Sequence, residues 1–146
     1  MIKIRKANVQ DMQSVLDLVV ELAIYEKEPD AVTATVEDYI RDFEESVFDV
    51  IVAEDKNEIV GIMLYYLTFS TWKGRMLYLE DFVVKESMRG HGIGVKLFNA
   101  LVEEAKSLNC VLIKWQVLDW NEPAINFYKK FDVTFEEEWY NCKLFL

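Results

Sequence analysis

The 146-residue sequence predicts an α/β domain built on a mixed sheet, and three observations carry that expectation. Apolar runs rich in β-branched and aromatic residues alternate with segments of helical periodicity. Two of those runs, "VFDVIVAE" and "IVGIMLYYLTF", are separated only by the polar turn "DKNE", which is a hairpin pattern. Further on, a helical segment stands between "MLYLEDFVV" and "VLIKWQVL", and such a crossover favours parallel pairing of the strands it joins.

Taken in order, Ile2 to Lys6 reads as a first strand, and Val9 to Tyr25 as a helix capped by Asn8. Met12, Leu16, Val19, Leu22 and Ala23 supply its apolar stripe. "TVED" resembles a capping box, with Thr35 as the cap and Asp38 in the return position. Tyr39, Ile40 and Phe43 give that second helix its buried side. The hairpin follows, then "STWKG" and the strand "MLYLEDFVV", so these three strands should form an antiparallel meander. Behind a glycine-rich turn, Leu97, Leu101, Ala105 and Leu108 recur at helical spacing. Lys96, Asn99, Glu103 and Lys106 take the opposite face, and Asn109 suits a C-terminal cap. A short helix beginning at Pro123 and two strands, near Val133 to Glu137 and Trp139 to Leu146, complete the expectation.

Composition narrows the class. A chain of this length, 52% hydrophobic and without a Pro- or Ser-rich linker or an internal repeat, reads as one domain over residues 1–146. "MIKIRKANVQ" lacks the apolar core of a secretory signal, and no apolar run reaches the about 18 residues needed to span a bilayer. The expectation is a cytoplasmic protein. Cys110 and Cys142 have neither metal-ligand spacing nor disulfide density and read as buried core residues. With His91 the single histidine, a His-rich metal site is excluded, and no metal is expected. The net charge of −10, from 26 acids against 16 bases, opposes nucleic acid and anionic membrane as partners and allows a small cationic molecule, although charge alone speaks first for solubility.

Three of the five glycines fall within five positions of "MRGHGIGVKLFNALVEEAKSL". A strand running through a glycine-rich turn into a helix brings backbone close to a ligand, and the first helical N–H groups attract an anion. Arg89 adds a full positive charge, and a pyrophosphate is the natural guest. The spacing Gly-x-Gly-x-Gly fails the dinucleotide fingerprint, and no Lys-Ser or Lys-Thr follows it, so a Walker loop fails too. A tight connection with no ligand is the competing reading. In the strand before the loop, Glu80 and Asp81 interrupt an apolar run, where a carboxylate is costly unless paired or functional. Side-chain alternation sends them to opposite faces unless a bulge intervenes. Either acid could instead pair with Arg75 or Lys114, and Tyr128 could be a packing residue beside Ala124, Phe127 and Phe131.

"RGHGIG" preceded by "YLEDFVV" resembles the acetyl-CoA pyrophosphate loop of the GNAT N-acetyltransferases, with Arg89, Gly92 and Gly94 in its fixed places. "ELAIYE", "STWKGRMLYLEDFVV", "RGHGIG" and "DWNEPAINFYKK" together resemble the diamine (spermidine/spermine) and thialysine acetyltransferases over nearly the whole chain. The resemblance implies the acyl-CoA N-acyltransferase fold, with helices flanking a mixed sheet whose central parallel strands splay apart. It implies acetyl-CoA pairing with Phe82, Val83 and Val84, its pyrophosphate on Arg89, Gly90, His91, Gly92, Ile93, Gly94 and Val95, and a contact from Asn121. His91 sits at a variable place and is assigned a backbone role.

By the same resemblance a bulge lies at the acid pair. Glu80 takes a proton from the substrate ammonium through water, and Asp81 helps bind the amine. Tyr128 lies beside the sulfur and protonates the leaving thiolate, a task for a donor whose pKa exceeds that of the thiol. A backbone N–H of the splayed strand stabilises the oxyanion, and no acyl-cysteine forms. Tyr25, Glu26, Glu137 and Trp139 are carried over as amine-pocket residues, with acids for charge and aromatics for cation–π faces. A homodimer is implied. Two departures stand out: "FYKKFDV" replaces the family's Lys/Arg-x-Gly-Ala/Phe, and the sequence ends soon after Trp139, where relatives carry a tail used in dimer exchange. The alternatives are acetylation of a protein lysine or N-terminus, or a non-catalytic module that binds CoA or polyamine.

Overall fold

The computed structural model describes residues 1–146, which divide into two compact units, Met1–Gln116 and Val117–Leu146. The first holds β1 (Ile2–Lys6), α1 (Met12–Tyr25), α2 (Val36–Glu44), β2 (Asp49–Asp55), β3 (Glu58–Ser70), β4 (Gly74–Val84), α3 (Ile93–Ser107) and β5 (Leu112–Lys114). The second holds α4 (Glu122–Tyr128). The sheet order is β1-β2-β3-β4-β5, antiparallel through β4 and parallel between β4 and β5. The mixed sheet therefore forms as expected.

Local chemistry sets the element boundaries. The side chain of Asn8 accepts from Gln10 N–H at 3.1 Å and Asp11 returns to Asn8 N–H at 2.9 Å, but the turn they close, Val9–Asp11, is a 3-10 helix. The α-helix proper starts only at Met12, so Val15 and Leu18 rather than Leu16 take its fully buried places. Thr35 and Asp38 close the second capping box at 3.2 and 2.9 Å, as the sequence predicts. Lys56 and Asn57, both with positive φ, make the two-residue hairpin between β2 and β3. Asn109, at φ 60°, ends α3.

Two layers of helix cover the sheet. Met12, Val15 and Leu18 of α1 meet Val50, Val52, Ile62, Leu64 and Val83 on one face, with Tyr39, Ile40 and Phe43 of α2 at the margin. Residues of opposite parity, among them Met63, Tyr65, Leu77 and Leu79, point to the other face, where α3 lies. Each of these buried aliphatic side chains stabilises by about 1.5–3 kcal/mol relative to exposure. Gly61 allows the close approach of α3: a Cβ there would stand 2.9 Å from Leu97 Cδ1 and 3.4 Å from Ile93 Cγ2. Arg5 ties β1 to its neighbours through Asp11 at 2.7 Å and Glu54 at 2.8 Å.

Two expectations fail. No strand forms after α4: residues 129–146 make no ladder, so Val133 to Glu137 and Trp139 to Leu146 are not strands. β-propensity reflects packing against neighbours, and Trp139, Tyr140, Leu144 and Phe145 are all exposed. The cysteines are not core residues either. Cys142 is exposed in that same segment, and Cys110 is half-buried just past the end of α3.

Candidate active site

The ladder between β4 and β5 spans Met76–Tyr78 and Leu112–Lys114 and ends with β5, so Leu79–Val84 of β4 run on past it. Beyond Val84 the chain makes a 3-10 turn, Glu86–Met88, and enters α3 through Gly90 and Gly92. Both glycines have left-handed φ, 81° and 75°, and a Cβ on either would meet nothing within 4 Å. Their open side is a cradle that side chains would fill. Lys96 N–H is the first to bond within the helix, to Gly92 O at 3.2 Å, so the N–H groups of Ile93, Gly94 and Val95 lead α3 with no carbonyl of their own helix. A helix start of this kind suits a phosphate.

The side chains around the loop are ordered by local contacts. Nδ1 of His91 lies 3.1 Å from both Met88 O and Arg89 O, a tie to the loop's own backbone. The Arg89 guanidinium stands 5.6 Å from the centre of the Tyr25 ring and its Nε donates to Val84 O at 3.4 Å. Leu22, Tyr25, Val83, Glu86 and Arg89 line a cavity of about 270 Å³ between the end of α1 and the loop. Tyr25, carried over as an amine-pocket residue, therefore touches the loop.

At the acid pair the β3–β4 ladder slips. Leu64 faces Asp81 and Tyr65 faces Leu79, leaving Glu80 as the extra residue of a β-bulge. Parity is reset there. Tyr78, Glu80, Asp81 and Val83 all turn to the face covered by α1 and α2, so the two acids share one side. Glu80 is exposed, not buried as an uninterrupted central strand would make it, and accepts from the Tyr66 hydroxyl at 2.7 Å. Asp81 is the desolvated partner. Burial first, then the charges of Glu80 and Glu26, push its carboxyl up to about 6. Burial also raises Glu26, just past the end of α1. Arg75 is engaged elsewhere, donating to Leu108 O at 2.8 Å, and does not neutralise the pair.

Three tyrosines surround these carboxylates, of which the sequence reading names only Tyr39, and that as a packing residue. Tyr66 and Tyr78 oppose each other on the ladder with ring centres 5.5 Å apart and planes 23° from parallel. Tyr39 of α2 is pushed up to about 12 by burial and by the charges of Asp81 and Glu80. Alternation along β3 and β4 was the available signal, but the register that sets Tyr66 against Tyr78 is not written in one strand alone.

In the second unit Asn121 is buried at 8% exposure and caps α4, its side chain accepting from Ala124 N–H at 3.4 Å. Tyr128 is buried at 6%, edge-on to Phe127 at 5.7 Å. Glu137 and Trp139 lie in the segment without regular structure, both exposed. The residues of the first unit thus assemble into two features, a glycine cradle fit for a phosphate and a cluster of carboxylates and tyrosines on the face of β4.

Comparison with known proteins shows the family. The acetyltransferase (GNAT) family model matches residues 12–132. Thialysine N-epsilon-acetyltransferase of Bos taurus is 38% identical over 95% of this chain and 89% of its own length. Spermidine/spermine N(1)-acetyltransferase-like protein 1 of Homo sapiens is 33% identical over 94% of this chain and 22% of its own. Among solved structures, an aminoglycoside acetyltransferase from an uncultured soil metagenomic sample, in complex with trehalose, has the same fold with a TM-score of 0.82 at 21% identity. That match covers 99% of this chain and 96% of the other.

Proposed function

The chain belongs to the acetyltransferase (GNAT) family, and from that premise we propose that it transfers the acetyl group of acetyl-CoA to a primary amine of a small cationic molecule, a polyamine, diamine or thialysine-like compound. The observation that carries the proposal is the bulge in β4, which gathers Glu80 and Asp81, with Glu26 close to Asp81, on one face of the strand that leads into the glycine loop. Three carboxylates among tyrosines suit an ammonium group, and the net charge of −10 draws cations and repels nucleic acid and anionic membrane.

The residues fit acetyl-CoA. Gly90 and Gly92 leave room for a pyrophosphate, Ile93, Gly94 and Val95 offer N–H groups, and Arg89 offers charge. Phe82, Val83 and Val84, past the end of the β4–β5 ladder, are the strand positions for the pantetheine. When bound, the cofactor supplies an activated acetyl thioester. Asp81 and Glu26 hold the ammonium, and Glu80, with Asp81 beside it, accepts the proton that must leave before nitrogen attacks. A backbone N–H of β4 steadies the charge that develops on the carbonyl oxygen. Tyr128 would supply the proton that the departing thiolate takes up when the amine displaces it. By the family resemblance Asn121 would contact the cofactor, and Tyr25, Glu137 and Trp139 would be residues of the amine side.

The same reading makes residues 1–146 one acetyltransferase domain acting in the cytoplasm as a homodimer, without metal. Exposed Trp139, Tyr140, Leu144 and Phe145 are the kind of surface an interface covers, and light scattering would read the mass. The deciding experiment measures free thiol released from acetyl-CoA with spermidine, spermine, putrescine, thialysine, lysine and basic peptides. Turnover is expected with the small di- and polyamines or with thialysine. Turnover with peptides alone would assign a protein acceptor, and CoA binding without thiol release from any acceptor would make the chain a binding module.

A further inference from the structure

We propose that Tyr66 is a positioning residue for amine acetylation: its hydroxyl, donating to Glu80 Oε1 at 2.7 Å, holds that carboxylate aimed along the face it shares with Asp81. The inference rests on the function proposed above. A carboxylate on a bulge lacks the ladder partner that fixes its neighbours, and Glu80 is exposed, so nothing in the strand itself selects its rotamer. Tyr66 supplies the selection. Its ring is braced by Tyr78 directly across the ladder, and the hydrogen bond occupies one carboxylate oxygen while leaving the other available to a water or an ammonium.

The surroundings explain why a tyrosine suits this place. Asp81, Glu26, Tyr78 and Tyr39 all bear electrostatically on the acid pair, and no basic side chain is bonded to Glu80 or Asp81. A Lys or Arg would steady Glu80 too, but would compete with the cationic substrate. A neutral hydroxyl holds the carboxylate in place and adds no positive charge.

A double-mutant cycle tests this. kcat/KM for the best amine is measured for wild type, Tyr66→Phe, Glu80→Gln and the double variant. If Tyr66 acts through Glu80, Tyr66→Phe costs about three- to tenfold in the wild-type background and less than about twofold once Glu80 is Gln. KM for acetyl-CoA stays unchanged. Equal losses in both backgrounds would overturn the proposal and leave Tyr66 as a cation–π wall. A second readout needs no turnover. In ¹³Cζ-tyrosine spectra near pH 10.5, around where ordinary tyrosines ionise, the Tyr66 signal, assigned by its loss in Tyr66→Phe, should be more ionised in Glu80→Gln than in wild type. The same ionised fraction in both would also overturn the proposal. Failure of wild type to acetylate any amine counts against the proposed function, and the spectra still decide whether Tyr66 holds Glu80.

Discussion

Replacing Asp81 by Asn should make the protein more stable and a poorer enzyme, and the size of the gain follows from the site. The folded carboxyl titrates at about 6 against an ordinary 3.8, because burial and the charges of Glu80 and Glu26 oppose its ionisation. At about 1.36 kcal/mol per pH unit, the ionised form is disfavoured by at most about 3 kcal/mol, and by about 1–3 kcal/mol after allowing for its partial exposure. The direction is fixed by which state holds the proton more tightly. The folded state does, so the cost is absent below about pH 3.8, grows as pH rises, and is complete above about pH 6. Asn carries no such cost. With about 2–4 °C per kcal/mol for a chain of this size, Asp81→Asn should melt several degrees above wild type at pH 8 and level with it near pH 4, followed by circular dichroism. The amine KM should rise in the same variant. A gain equal at both pH values, or none at pH 8, would refute the claim that Asp81 is held ionised at a cost.

Other outcomes follow from the same geometry. Gly92→Val puts a branched side chain into the open space at φ 75°, so CoA affinity measured by calorimetry should fall by more than about tenfold; unchanged affinity in a folded variant would move the phosphate site elsewhere. Tyr128→Phe keeps the buried ring against Phe127 but removes the hydroxyl, so single-turnover acetylation should slow by ~10²–10⁴-fold in a variant that still melts cooperatively, whereas a rate within about threefold of wild type would make Tyr128 a packing residue. Arg5→Leu strips Asp11 and Glu54 of their shared cation and should cost about 1–3 kcal/mol. Because the Arg5 hydrogen bond lowers the folded Asp11 below its ordinary 3.8, that loss should be full at neutral pH and shrink as pH falls below about 4; a pH-independent loss would assign it to packing.

How much of this was legible in the sequence depends on how local each determinant is. The cap at Asn8, the Thr35–Asp38 capping box, the hairpin at "DKNE" and the C-terminal cap at Asn109 are each set within about four residues and could be read, whereas the return bond from Asp11 and the two-residue form of the hairpin were not. The parallel β4–β5 pair followed from the helical crossover, a constraint of chain geometry. The last two predicted strands rested on composition alone, and Phe135, Trp139 and Tyr140 have no paired neighbour to make them strands. Gly61 was opaque because its reason, the Leu97 methyl group, lies 36 positions away in the chain. At the site, the cradle was visible as spacing and the acid pair as an interruption. Which acid is desolvated, and that Tyr66 bonds the other, depends on a one-residue slip between strands that neither strand encodes alone.

That slip has the character of an insertion. Leu79 pairs with Tyr65 and Asp81 with Leu64, consecutive residues on β3, so a β4 lacking Glu80 would close into an unbroken ladder with every other side chain on its present face. A second carboxylate has thus been added to the sheet without disturbing the core that Leu64 and Val83 form with α1. The scaffold and this part of its chemistry are separable: a lineage could gain or lose the residue at this point in a single step and keep the same fold.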